Sequence, residues 1–312
     1  MTTLKPTILV TEGSDPVPLA WLKERASVVE IGVDSPDFDR QLAVARGMVV
    51  RTYTRVDAAL LAKAPMLRVV GRGGVGIENI DVAACRARGV EVVYTPDANT
   101  IAVGDYVFGN LLQLVRPYAH FREQAYTPKE FKHIRNTQRG RQLDQMTLGI
   151  IGLGRVGKRV ASIARAFGMK VVFNDLLPMP GHQISMSKKD VLTSCDVLSL
   201  HVDMRPGNEN LIGASELALL KDQAIVINSC RGEVLDAHAL AAELRSGRLA
   251  GCVIDVYAPE PPPADYPLLG LSNALLTPHM AARTQTAILN MSWVVKDVLG
   301  VLSGEPAMYP AP

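Results

Sequence analysis

The 312-residue chain reads as an α/β protein made of two doubly wound parallel sheets, and three observations carry that reading. Short β-rich runs alternate with helix-patterned segments from end to end, the order expected of parallel strands joined by crossover helices. Most of the runs are continuously apolar rather than alternating, as strands covered on both faces require. Five runs precede a long apolar helix pattern and six follow it, enough for two separate units.

The runs fall at 7–11, 28–31, 48–51, 67–71 and 90–94, then at 147–151, 170–174, 197–201, 224–228, 251–255 and 274–277. After the turn Thr95-Pro96-Asp97, a helix over 100–116 joins the two groups. Past the first run of the second group, Val156, Val160, Ile163, Ala164 and Phe167 recur on one helical face, and Gly168 stops the helix. Asp236 caps another helix that Gly247 ends. A helix over 283–302 has no strand after it and is free to cross back to the first group. The expected division is a discontinuous, flavodoxin-like domain of 1–101 plus 283–312, and a second domain of 102–282. The basic stretch 129–141 reads as a solvated or subunit-facing loop.

Composition narrows the function classes. Apolar residues at 48% and charged ones at 21% describe a soluble globular protein. A net charge of +2 gives no electrostatic ground for a nucleic-acid partner or a membrane surface. No apolar run is long enough to span a bilayer, and the first residues lack the basic-then-apolar order of a signal peptide. Cys85, Cys195, Cys230 and Cys252 are dispersed, without a C-x-x-C pair or histidines at ligand spacing. No metal is therefore expected, and reduced thiols point to the cytoplasm.

Gly152-Leu153-Gly154-Arg155-Val156-Gly157 is a G-x-G-x-x-G directly after a strand and directly before a helix. The first glycine permits a tight turn, the second lets main chain approach a pyrophosphate, and the third lets helix and strand pack closely. N–H groups at the helix start then meet the phosphate charge. The next strand ends in Asn174-Asp175, where an acid hydrogen-bonds an adenosine ribose. No arginine at Leu176, Leu177 or Pro178 welcomes a 2′-phosphate, so the cofactor expected of this Rossmann-like unit is NAD.

Three further strand ends carry chemistry: Arg231 after Asn228-Ser229-Cys230, Asp255 and Glu260 in the stretch Asp255-Val256-Tyr257-Ala258-Pro259-Glu260, and His279 after Thr277-Pro278. Ligands of open α/β sheets bind beyond the carboxyl ends of the strands, so these groups are placed to converge on one site. Oxidation of an α-hydroxy acid needs a base for the hydroxyl proton, a cation for the carboxylate or carbonyl, and a fixed nicotinamide face. His201, also at a strand end, reads as lining the adenine side, whereas His120, His133, His182 and His238 read as solvated.

With these motifs in order, the chain from about Val49 to His279 resembles the D-isomer-specific 2-hydroxyacid dehydrogenases. The resemblance implies an active site in the cleft between the two domains. It makes His279 the general acid/base, Glu260 its carboxylate partner, Arg231 the cation that orients substrate, and Asp255 the acid that holds the nicotinamide carboxamide. An acid beside an imidazole favours its protonated form, and a planar guanidinium suits a carboxylate and keto oxygen together.

Gly71-Arg72-Gly73-Gly74-Val75-Gly76 is a second glycine-rich loop after a strand, suited to bring main-chain N–H groups to an anion. By the resemblance it takes the substrate carboxylate. Arg72 within it and Arg51 at the end of run 48–51 match the phosphoglycerate dehydrogenase branch, where such arginines face a phosphate. The implied reaction is therefore oxidation of 3-phosphoglycerate. A hydroxypyruvate/glyoxylate reductase stays open because Val103-Gly104-Asp105 and an arm lacking tryptophan depart from the common pattern. So does an NAD(H)-sensing binding protein, a role in which the full Arg/Glu/His set would be unnecessary. The arm from Pro117 to Gln145 exceeds an ordinary connection, and relatives exchange such arms, so a homodimer is expected.

Overall fold

The computed structural model describes residues 5–117, 127–177 and 185–312. The chain divides into two compact units, Met1–Asn99 with Ala282–Pro312, and Thr100–Ala281.

The first unit holds β1 (Thr7–Val10), β2 (Ser27–Glu30), β3 (Gly47–Val50), β4 (Val69–Arg72) and β5 (Glu91–Tyr94). They form one parallel sheet in the order β2-β1-β3-β4-β5. Alternate residues supply two apolar clusters on opposite faces: Leu9, Met48 and Val70 in one, Ile8, Val49 and Val69 in the other. The order reverses between β1 and β3, so the carboxyl ends of these two strands flank a topological switch point. The end of the chain guards the open edge of β5. Ala311 N donates to Val92 O at 2.7 Å and Tyr94 N to Tyr309 O at 3.1 Å, satisfying groups that would otherwise template another strand.

The second unit holds β6 (Thr147–Ile151), β7 (Lys170–Asn174), β8 (Val197–Leu200), β9 (Ile225–Asn228), β10 (Gly251–Ile254) and β11 (Ala274–Leu276). All pairings are parallel, in the order β7-β6-β8-β9-β10-β11. Here the reversal lies between β6 and β8. Beyond β7 the chain continues the ladder briefly, since Met186 N donates to Phe173 O at 3.0 Å. Cys252 and Ile254 belong to one apolar cluster and Val253 to the other, as a strand covered on both faces demands.

Several expectations need correction. Six strands end one residue early, so Arg51, His201, Asp255 and Thr277 lie just past the strands rather than within them. The single helix expected over 283–302 is two, Gln285–Ser292 and Val294–Leu302, divided at Trp293, whose ψ of −1° turns the axis. Trp293 meets Trp21 edge-on with ring centroids 6.0 Å apart, which fixes the turn by packing rather than by glycine or proline. The stretch read as a loop contains the helix Pro128–Thr137, opened by a capping box of Thr127 and Glu130. Phe167 leaves the buried stripe: it lies exposed past the helix end and stacks on Phe108 at 5.4 Å.

All four cysteines are buried and free. His133 and His238 are exposed, while His120 and His182 fall outside the described residues. Among the described residues, no helix is long and apolar enough to cross a membrane and no cluster of three metal-ligating side chains occurs.

Candidate active site

In the second unit the loop after β6 is shaped by what its glycines touch. Gly152 has φ +91°, and a Cβ on it would lie 2.5 Å from His201 O. A Cβ on Gly157 would lie 2.2 Å from Gly152 O, so only hydrogen lets the helix Arg155–Ala166 start this close to the strand. In front of Gly154 there is nothing within 4 Å. A tight turn, a close helix start and open space at the middle glycine form a cradle that fits a dinucleotide's pyrophosphate. Arg155 is exposed on the first turn, and Val156 turns partly inward to the apolar cluster.

Asp175, at the end of β7, accepts from Leu153 N at 2.6 Å and from Leu177 N at 2.8 Å. Its carboxylate thus braces the glycine turn. His201 hydrogen-bonds Ser199 Oγ through Nε2 at 2.9 Å, and burial pushes its imidazole down to about 4, so the ring is neutral. The sequence placed this ring on the adenine side; the contacts displayed are with Ser199 and, through the His201 carbonyl, with Gly152.

The loops after β9, β10 and β11 carry the candidate chemical groups. Asn228 donates to Arg231 O at 2.8 Å and accepts from Cys230 N at 3.1 Å, a side-chain turn that fixes where Arg231 leaves the strand. Arg231 Nη1 donates to Cys230 O at 2.5 Å. The following residue, Gly232, packs directly on the Tyr257–Ala258 peptide, so the Arg231 loop and the loop bearing Glu260 are neighbours. His279 Nδ1 meets Glu260 Oε1 at 2.7 Å, with both side chains partly exposed. Nδ1 is thus the ring nitrogen engaged by Glu260, and Nε2 is the other.

Asp255 stands just past β10. It is fully buried, accepting from Thr277 Oγ1 and Met280 N at 2.6 Å and from Ala281 N at 2.7 Å. Burial raises its pKa against these donors, which lower it. These bonds hold the 279–281 segment in place. His279 adopts φ +53°, its N–H bonded to Asp255 O at 2.9 Å. Tyr106, on the helix Thr100–Val115, extends the network through a 2.5 Å contact with Thr277 Oγ1, and burial pushes its phenol up.

In the first unit, Gly73 N donates to Val50 O at 2.9 Å, and Arg72 Nη1 folds back onto Gly73 O at 2.8 Å, over Gly74. Among the described residues, the amides of Val75 and Gly76 meet no acceptor, which leaves two donors of the loop for an anion. The Arg51 side chain runs across Gly73 to Met291, with Nη2 3.9 Å from Sδ. Burial lowers its pKa first and the neighbouring Arg283 charge second, with Glu12 opposing.

The structure thus joins His279 to Glu260, the Arg231 loop to the Glu260 loop, Asp175 to the glycine turn, and Arg51 to Gly73. Sequence reasoning passed over Thr277, Tyr106, Glu12, Asn79 and Arg283. A solitary acid two residues past an apolar strand was the one signal for Glu12, and the others gave none.

Residues 108–281 match the model of the D-isomer specific 2-hydroxyacid dehydrogenase, NAD binding domain. The D-3-phosphoglycerate dehydrogenase of Archaeoglobus fulgidus is 34% identical over 307 residues, 96% of this chain and 58% of that one. The chain thus spans little more than half the length of that relative. The (S)-sulfolactate dehydrogenase of Chromohalobacter salexigens is 34% identical over 304 residues, covering 93% of this chain and 96% of that one. Among solved structures, the TT0316 protein of Thermus thermophilus superposes with a TM-score of 0.88 at 33% identity, over 98% of this chain and 100% of that one.

Proposed function

The chain belongs to the D-isomer-specific 2-hydroxyacid dehydrogenases, and from that premise we propose that it interconverts a D-2-hydroxy acid and its 2-keto acid with NAD. The observation that carries the proposal is the His279–Glu260 pair, 2.7 Å apart beyond the ends of β10 and β11, in the unit that holds the glycine cradle.

Gly152, Gly154, Gly157 and Asp175 would hold NAD, which would supply the hydride acceptor. In the oxidative direction His279 Nε2 takes the proton of the substrate hydroxyl, while Glu260 holds the ring through Nδ1 and offsets the imidazolium charge. In the reductive direction the same nitrogen returns that proton to the carbonyl oxygen. Arg231 pairs with the substrate's carboxylate and carbonyl, drawing electron density toward oxygen. The donors of the Arg72–Gly76 loop take the acid group. In His279→Gln, turnover is lost while NADH still binds. Unchanged turnover would remove His279 from the reaction.

For the substrate, 3-phosphoglycerate is favoured because half-buried Arg51 lies close to Arg283, a pairing of like charges that a dianion relieves. A 3-sulfonate analogue is the second reading, favoured by the match to a sulfolactate dehydrogenase over 96% of its length. Assays with phosphoglycerate, sulfolactate, glycerate, hydroxypyruvate and glyoxylate separate these. Equal kcat/KM with and without the distal anion would defeat both, in favour of a hydroxypyruvate/glyoxylate reductase.

A homodimer belongs to the same proposal. The helix Pro128–Thr137 buries none of its residues and presents Phe131 outward, which suits contact with a second copy. Sedimentation at micromolar concentration should give the mass of a dimer.

A further inference from the structure

Four consecutive backbone N–H groups in the first unit converge on one carboxylate. Glu12 Oε1 accepts from Arg51 N at 3.1 Å and Thr54 N at 2.8 Å, and Oε2 from Thr52 N at 2.8 Å and Tyr53 N at 3.0 Å. The same turn is tied from its carbonyl side by Asn79, whose Nδ2 donates to Arg51 O at 3.0 Å and Thr54 O at 2.6 Å. Thr11 and Thr54 close the turn with a 2.6 Å contact between their hydroxyls.

This clamp sits at the switch point between β1 and β3, where a doubly wound sheet ordinarily receives its ligand. Consecutive N–H groups of this kind make an anion cradle. Here Glu12 fills the cradle, so these N–H groups are spoken for and the turn's means of meeting an anion is the Arg51 side chain. Partial burial alone would raise the Glu12 pKa, but the N–H donors outweigh it and the net direction is down, so the carboxylate stays charged. Its charge also opposes the repulsion between Arg51 and Arg283.

We propose that Glu12 is a positioning residue: by holding the 51–54 turn through its four N–H groups, it sets the Arg51 guanidinium to receive the distal anionic group of the substrate. The proposal rests on the reading of Arg51 given above, and it adds a residue that touches no substrate.

In Glu12→Gln the carboxamide nitrogen faces two N–H donors, so half the clamp is lost. The assay is steady-state kinetics with D-3-phosphoglycerate and sulfolactate, against D-glycerate. KM for the dianionic acid should rise about tenfold, as expected when one charge-assisted hydrogen bond is lost, with kcat, KM for NAD and KM for glycerate nearly unchanged. In an Arg51→Ala background, Glu12→Gln should add almost nothing, because the two act through one contact. Asn79→Ala frees the same turn from its other side, should show the same KM-only pattern, and serves if Glu12→Gln does not fold. A fall in kcat at constant KM, or a penalty that persists in Arg51→Ala, would make the clamp merely structural. An inert Glu12→Gln beside an impaired Arg51→Ala would overturn this inference alone. An inert Arg51→Ala would overturn it together with the substrate reading.

Discussion

Gly157→Ala tests the cofactor cradle at the point where the geometry leaves least room. The added Cβ would stand 2.2 Å from Gly152 O, whereas ordinary contact begins at 3.4 Å. Gly152 cannot give way on its far side: its N–H is bonded to Asn174 O at 2.9 Å, and its own Cβ position lies 2.5 Å from His201 O. The helix Arg155–Ala166 must therefore draw back by about 1.2 Å in a close-packed interior. A donor withdrawn that far from an oxygen at about 2.9 Å no longer makes a hydrogen bond. Losing one such bond to a charged phosphate costs about 1.5–3 kcal/mol, or roughly 10- to 150-fold in Kd. Overpacking adds about 1–3 kcal/mol to the loss of fold stability. Fluorescence titration with NADH and a thermal melt read the two effects separately. An NADH Kd within about twofold of the parent, with an unchanged melt, would show that the turn does not hold the dinucleotide in this way.

Three further outcomes follow from other parts of the second unit. Burial would raise the Glu216 carboxyl, but Lys188 at 3.0 Å and Ser215 at 2.8 Å outweigh it and hold the group down to about 2. Its stabilising contribution is thus present above pH 4.5 and lost as pH falls toward 2, so Glu216→Gln should flatten the acid limb of a urea-stability profile across that window. Arg248 bonds Glu243 at 2.6 Å and the carbonyls of Leu220 and Leu217 at 2.9 and 2.6 Å. Arg248→Lys cannot span all three and should cost about 1–3 kcal/mol in denaturant unfolding. Thr277→Val leaves Asp255 one donor short and Tyr106 without its partner, and should lower unfolding free energy by about 1–3 kcal/mol. A shift under about 0.5 kcal/mol in either variant would mean that water replaces the missing group.

Every strand overlaps an apolar run, and the fully buried ones, such as β3, β8, β9 and β10, are continuously apolar or nearly so, because the sheet covers them on both faces. Ends were less legible. Asp255 and Thr277 lie one residue past their strands, yet their N–H groups still donate to Asn228 O and Ile254 O at 3.0 Å. The glycine turn was legible because its constraints are local: Gly152 and Gly157 meet each other across five residues. The helix Pro128–Thr137 is less legible: Thr127-Pro128-Lys129-Glu130 spells its start, but the charged residues within it leave no broad apolar face. The break at Trp293 has no local signal, being set by a tryptophan 272 positions earlier in the chain.

Asp255 and Glu12 do the same physical work: each accepts backbone N–H groups just past a strand and thereby fixes a segment carrying a functional side chain. His279 shows why such an anchor is needed. Few non-glycine residues adopt a left-handed backbone, and the conformation persists only where surrounding bonds over-determine it. Here Asp255 binds the next two N–H groups with its side chain and the N–H of His279 with its carbonyl. Glu260 then constrains the ring from the other end. In the first unit the same logic fixes the turn of Arg51 through Glu12 and Asn79. An acid past a strand end looks alike in sequence whether it faces a ligand or its own chain. The backbone donors that hold Asp255 and Glu12 lie 25 to 42 residues away, beyond the reach of any local pattern.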